Sequence, residues 1–255
     1  MFELINLKQG WKWAVFGKHP VAGDFLTAGE ITPLLRSFAK WMEKGHSRLA
    51  AKNKDAPVLP WRFWAKGPNK ELVCGILHPS QDKHGRKYPI LLIGTGKNQD
   101  LNKNWNLIPY ACGETWSQLE ALVQREYQSV RKFRRDLKEV AAPDGNLQEL
   151  AEKNERSRSV KIGKNGKSMY SDFMNKMNNI EALSRREVFS VHLDAGDQKD
   201  TLVPVSKLLS LLKNRSQTAP DVVFWGGRED QKMLFCLKRP LSVDDYGKIN
   251  ISGKI

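Results

Sequence analysis

The strand-like stretches of this 255-residue chain come in groups, and that grouping limits its fold more than any other feature. Apolar runs at 11–17, Trp61–Trp64, Glu71–His78, Tyr88–Gly94, Val188–Leu193, Val222–Trp225 and Lys232–Leu237 read as strands. Leu34, Leu35, Phe38, Trp41 and Met42 recur at helical spacing and predict a helix over about 33–50, with Thr32 as N-cap and Pro33 at the first helical position. From Trp116 through Leu119, Val123, Tyr127, Val130, Phe133 and Leu137 to Val140, apolar residues step by threes and fours. This predicts one long helix, opened by a Thr115/Gln118 capping box and stopped at Ala142-Pro143-Asp144-Gly145. Helices are also expected over Phe173–Leu183 and Val203–Leu212. Because strands follow strands instead of alternating with helices, the pattern predicts an α+β domain, a mixed α/β fold with helices packed on a sheet, and argues against a doubly wound one. No internal repeat interrupts it.

Composition narrows the class. At 40% hydrophobic and 27% charged, the chain suits a folded protein and not a disordered one. Glu3, Lys8 and Lys12 break up any apolar leader, and no run is long enough to span a bilayer, so a cytoplasmic protein without membrane insertion is expected. Cys74, Cys112 and Cys236 are far apart and odd in number, which predicts reduced core thiols and neither disulfides nor a zinc site. The net charge of +14 bears on partners, not on fold. Much of it falls on Arg125, Arg131, Lys132, Arg134, Arg135 and Lys138, then on Lys153, Arg156, Arg158, Lys161, Lys164 and Lys167.

Two polar loops hold the candidate chemistry. The first is Phe16-Gly17-Lys18-His19-Pro20-Val21-Ala22-Gly23-Asp24-Phe25, where two glycines and a proline force the chain sharply out of a strand. The second is Pro79-Ser80-Gln81-Asp82-Lys83-His84-Gly85-Arg86, between two strands that suit a long-connection hairpin. The loops are expected to lie side by side at one edge of the sheet, with Asp24 and Asp82 competing for Arg86. A hydrolase built on these loops (17–25 and 79–89) would use His19, Asp24, Ser80 and Asp82. Against it, no histidine pairs with another ligand at metal spacing, and no serine sits in a Gly-x-Ser-x-Gly elbow. Gly163-Lys164-Asn165-Gly166-Lys167-Ser168 ends like a phosphate loop, but Lys161 stands where its first glycine belongs. A basic nucleic-acid-binding protein is a further alternative, weakened because Tyr127 and Phe133 belong to the apolar stripe and no recognised module is present. A basic helix would equally steer an acidic or phosphorylated protein partner.

Together the loop motifs resemble a known family. The Phe16–Phe25 stretch is similar to the aromatic-Gly-Lys-x-Pro-x-x-Gly-Asp-Phe opening of the TagF (ImpM) family of type VI secretion accessory proteins. Trp61-Arg62-Phe63 resembles its Trp-Arg-Phe, Gly75 to Pro89 resembles its Gly-x-x-x-Pro-Ser-x-Asp-x-x-Gly-Arg-x-aromatic-Pro stretch, and Val223-Phe224-Trp225-Gly226 its aromatic-Trp segment. His19 replaces a common Leu, and Val21-Ala22 a common Ser-Arg. The resemblance implies a single domain over 1–255 and a longin- or profilin-like sandwich around a mostly antiparallel sheet, while residues at about 141–172 match no part of the family pattern and their polar, basic composition predicts a flexible insert. The resemblance also implies a non-enzymatic, cytoplasmic, post-translational repressor with no cofactor, metal or catalytic residue. Its implied partner is the forkhead-associated scaffold protein of the secretion system, not nucleic acid. The residues it marks as a structural or docking motif are Gly17, Lys18, Pro20, Gly23, Asp24, Phe25, Trp61, Ser80, Asp82, Gly85 and Arg86.

Overall fold

A computed structural model describes residues 10–54, 56–159, 187–193, 202–216 and 218–251. Its strands are β1 (Lys12–Gly17), β2 (Leu26–Gly29), β3 (Trp61–Lys66), β4 (Glu71–His78), β5 (Ile90–Lys97), β6 (Val188–Leu193), β7 (Val222–Arg228) and β8 (Gln231–Leu237). They form one eight-stranded sheet in the order β2-β1-β5-β4-β3-β7-β8-β6. Every pairing is antiparallel. The expected α+β architecture is therefore present, with the β4–β5 hairpin near its centre and in register from Glu71↔Lys97 to His78↔Ile90.

Both faces of the sheet are covered. On one lie α1 (Pro33–Lys52) and α8 (Val243–Ile251), packed with Phe16, Trp61, Phe63, Leu91, Ile93 and Phe224. On the other lie α2 (Gln99–Lys103), α3 (Ile108–Ala111), α4 (Gly113–Gln124), α5 (Val130–Lys138), α6 (Leu147–Ser159) and α7 (Leu202–Arg215), over Trp13, Val15, Trp64, Ile90, Leu92 and Trp225. Successive residues of a strand point to opposite faces, so a sheet buried on both sides needs unbroken apolar runs. That is why Ile90-Leu91-Leu92-Ile93 and Val222-Val223-Phe224-Trp225 show no alternation.

Several elements differ from the sequence expectation. Strand β2 is missed because the four residues Leu26-Thr27-Ala28-Gly29 are too few to show periodicity, although Leu26 and Ala28 alternate inward. The long helix is two helices. Arg125 ends α4 in an extended conformation, and Ser129 opens α5 by accepting from the Lys132 amide at 3.3 Å. Both helices bury the same stripe, so the spacing continues across the break. The Thr115/Gln118 capping box is absent because α4 already starts at Gly113. Instead Thr115 Oγ1 donates to the Ala141 carbonyl at 2.9 Å, and Gln118 Oε1 accepts from the Ala141 amide at 2.8 Å. Residues 147–159, expected within the exposed insert, form α6, whose Leu150, Asn154 and Ser157 are buried. The expected helix at Phe173–Leu183 and the Gly163–Ser168 motif lie outside the described residues.

Candidate functional site

The first loop leaves β1 at Gly17, whose φ of +121° is a glycine conformation. A side chain there would also collide with the Pro89 carbonyl oxygen, 2.1 Å from the position of its Cβ. This close approach lets the two loops stack. The Lys18 amide donates to the Pro89 carbonyl at 3.4 Å and the Lys83 amide to the Ala22 carbonyl at 2.9 Å. The loops leave β1 and β4 and enter β2 and β5, so they lie at strand ends and only partly at the sheet's lateral edge.

Asp82 is the centre of this clasp and is 1% exposed. Its Oδ1 accepts from the His84 and Arg86 amides at 2.9 and 3.0 Å. Its Oδ2 receives Lys18 Nζ at 2.9 Å and Arg86 Nε at 2.7 Å. Burial by itself raises the carboxyl pKa. The Lys18 ammonium, the two amides and the Arg86 guanidinium outweigh it and hold the group well below the usual carboxylate range. Asp24 and Asp82 do share Arg86, since Arg86 Nη2 lies 3.5 Å from Asp24 Oδ1 and 2.8 Å from the Gly23 carbonyl it donates to. Arg86 nevertheless stays 55% exposed, whereas the Lys18 side chain is only 9% exposed. The buried partner of Asp82 is thus Lys18 and not Arg86, a distinction that loop spacing does not carry.

The other motif residues fall around this centre. Gly85 takes φ +78° in the Asp82–Arg86 turn, while Pro20 and Gly23 are exposed loop residues. Phe25 is 58% exposed, with its ring 4.8 Å from Tyr88 and 5.2 Å from Lys18 Nζ. Trp61 stands apart from the clasp: it starts β3 and is buried against Phe235 as core. Ser80 is half-buried and its carbonyl accepts from the Tyr88 amide at 3.0 Å.

The hydrolase quartet does not assemble. His19 turns inward onto Phe133 and Tyr127, at ring separations of 4.7 and 5.9 Å. Its Nδ1 accepts from the Val21 amide at 3.1 Å, so the neutral ring carries its proton on Nε2. Burial lowers the His19 pKa, partly offset by the Leu122 and Val123 carbonyls at the end of α4. Among the described residues no histidine side chain bonds to Asp24, Asp82 or Ser80, and no three metal-ligating side chains cluster.

Beside the clasp opens a cleft of about 720 Å³, a size typical of binding sites. Pro20, Pro79, Ser80, Gln81, Lys87 and Tyr88 of the clasp line it together with His46, Leu49 and Ala50 of α1, and the His46 and Tyr88 rings meet at 4.7 Å. Burial, with the Glu43 carboxylate, pushes the Tyr88 phenol up to about 12, and burial lowers the His46 pKa. Sequence reading counts His46 among the candidate histidines but sets it aside, because a lone histidine on a helix carries no pairing signal. It missed the Arg62–Glu120 fork, with bonds of 2.6 and 2.8 Å between β3 and α4.

The family model described as TagF N-terminal domain, type VI secretion system-associated, matches residues 14–141. The fold is similar to the crystal structure of PA0076 from Pseudomonas aeruginosa PAO1, with a TM-score of 0.53 at 14% identity over 93% of each chain. No curated protein sequence matches the chain.

Proposed function

The chain belongs to the TagF N-terminal domain family associated with type VI secretion, and from that premise we propose that it acts there as a non-enzymatic, cytoplasmic regulator, a repressor that works by protein–protein binding. The partner in this reading is the forkhead-associated scaffold protein of the system. No helix among the described residues is long and apolar enough to cross a membrane.

One observation carries the reading: Asp82, Lys18, Arg86 and Asp24 are tied to one another within the clasp, which in turn walls an open cleft. A carboxylate that serves as general acid or base must be free to exchange protons near the working pH. Asp82 is instead held ionised by Lys18 and Arg86 at 2.9 and 2.7 Å. Such a group rigidifies loops. Rigid loops around a mainly apolar cleft, with Phe25 exposed against Tyr88 of its lining, suit docking, because pre-organised surfaces lose less conformational freedom on binding.

The test is capture of the purified forkhead-associated protein by wild type and by Ser80→Trp, which fills the cleft from its rim. The expected result is binding by wild type and at least about a tenfold loss in a variant with an unchanged thermal midpoint. No binding by the wild type, or equal binding by both, overturns the proposal.

A further inference from the structure

The clasp and its cleft leave the most basic element of the molecule unexplained. In α5, five of nine residues are cations, Arg131, Lys132, Arg134, Arg135 and Lys138, and all five are exposed. The single acid of the helix, Asp136, is turned to Arg125 Nη1 at 3.1 Å, Arg135 Nε at 3.6 Å and the Tyr127 hydroxyl at 3.3 Å. Arg131, Lys132, Arg134 and Lys138 form no ion pair among the described residues. By contrast, α6 neutralises itself through Glu149–Lys153 and Glu152–Arg156. Glu126 lies before α5, and Glu139, its helical C-cap, falls at the end of the side that carries Lys132 and Arg135, away from Arg131, Arg134 and Lys138.

This cationic face is held on a rigid base. Phe133 and Leu137 are 0% and 1% exposed, Ser129 caps the first turn, and the Phe133 ring lies 4.7 Å from His19 of the clasp. Like charges without a partner among the described residues repel one another on one short helix, so the arrangement costs stability and is relieved by a bound anion. We propose that the outward face of α5 docks an acidic surface of a partner protein. The inference takes only the partner's identity from the regulatory reading above; the ledge itself is read from α5.

The chemistry of the face selects a protein among polyanions. Nucleic acid held in single-stranded form is gripped by stacking on exposed aromatics, but Phe133 is buried and Tyr127 is half-buried with its hydroxyl on Asp136. A bilayer is held by charge together with inserted apolar side chains, and the apolar residues of α5 all pack on the core. The row of guanidinium forks and ammonium groups matches carboxylates on a complementary protein surface, and duplex phosphates, which match it in charge, are the competing outcome of the test.

The experiment compares the full chain, the charge swap Arg131→Glu/Arg134→Glu/Lys138→Glu, and a matched swap on the exposed face of α1, Arg36→Glu/Lys40→Glu/Lys44→Glu. Both swaps change net charge equally and leave the buried residues alone. The probes are fluorescent poly-L-glutamate of about 50 residues, duplex DNA, anionic vesicles and the forkhead-associated protein. For poly-L-glutamate, the α5 swap should weaken binding about tenfold or more and the α1 swap less than about threefold. Equal losses from both swaps, or none from the α5 swap, would show that only the overall charge matters and would sink the proposal. Retention of DNA or vesicles at about 150 mM salt that only the α5 swap abolishes would overturn it by assigning the face to another partner class. For the forkhead-associated protein, the α5 swap should slow association about tenfold with little change in dissociation. If the wild type fails to bind that protein while the poly-L-glutamate pattern holds, the named partner falls and the docking ledge stands.

Discussion

Asp82 accepts two backbone amides and two side-chain cations while 1% exposed, so its removal and the removal of its partners are not equivalent. Asp82→Asn strands the buried Lys18 ammonium, and it should lower the thermal midpoint more than any other single change in the clasp. Arg86→Ala leaves Lys18 paired and removes a half-exposed side chain, so a loss of about 1 kcal/mol or less is expected from chemical denaturation. An equal loss for the two variants would refute the buried-pair account. His19 adds a pH dependence. Its folded pKa lies below the unfolded value of 6.5, so the unfolded chain takes up the proton more readily. Its contribution is complete above about 6.5 and is lost as pH falls towards the lower folded value, where protonating Nδ1 opposes the Val21 amide. His46 shifts the same way, so His19→Leu should flatten only part of the stability change between about pH 7.5 and 5.5. An unaltered slope would show that His19 does not titrate in this window. Asp82 acts lower: its stabilisation is present above 3.8 and falls away only as acid approaches its depressed folded value.

At the scale of elements, the contact between α1 and α8 depends on Gly45. Glycine inside a helix costs about 1 kcal/mol relative to alanine, so its presence there needs a reason. The reason is Tyr246, whose Cβ would lie 2.3 Å from a Cβ on residue 45. Gly45→Ala should therefore destabilise the protein by about 1–3 kcal/mol in spite of its better helix propensity, as overpacking does. A gain in the denaturation midpoint would show that the two helices can part freely. The same contact is held from the other side by Asp245, which accepts from the Ser242 amide at 2.8 Å and receives a two-bond fork from Arg239. Burial raises the Asp245 pKa, but Arg239 and Ser242 outweigh it and bring it to about 2. Ser242 and Asp245 stand at capping-box spacing, a local signal that reading Asp244-Asp245-Tyr246 alone leaves out, whereas the Arg239 fork forms only where the chain turns from β8 into α8.

The whole molecule is a sheet closed between two helical layers, and its three thiols report on that closure. Cys74, Cys112 and Cys236 are all buried and unbridged. Burial raises the Cys112 and Cys236 pKa values, so few thiolates are available to react. A thiol reagent should label none of the three in the native protein and all of them in denaturant, and fast native labelling would mean that one layer opens. The strands and their clustering were legible because a sheet covered on both faces demands continuous apolar runs, and those runs are local in sequence. Helix α1 was legible for the same kind of reason, since Thr32 and Pro33 mark its start and an apolar stripe marks its buried face. Where identity of spacing conceals a change of direction, as between α4 and α5, periodicity fails, because two helices packed on one sheet repeat a single stripe. The loops themselves could be named from glycine, proline and aspartate, whose backbone preferences act within a few residues. That Lys18 would be buried against Asp82, that Arg86 would stay half in solvent, and that His19 would turn from the loop onto α5 followed from tertiary structure alone. Burial and ion pairing depend on which distant segments exclude water from a group, and no local pattern records that.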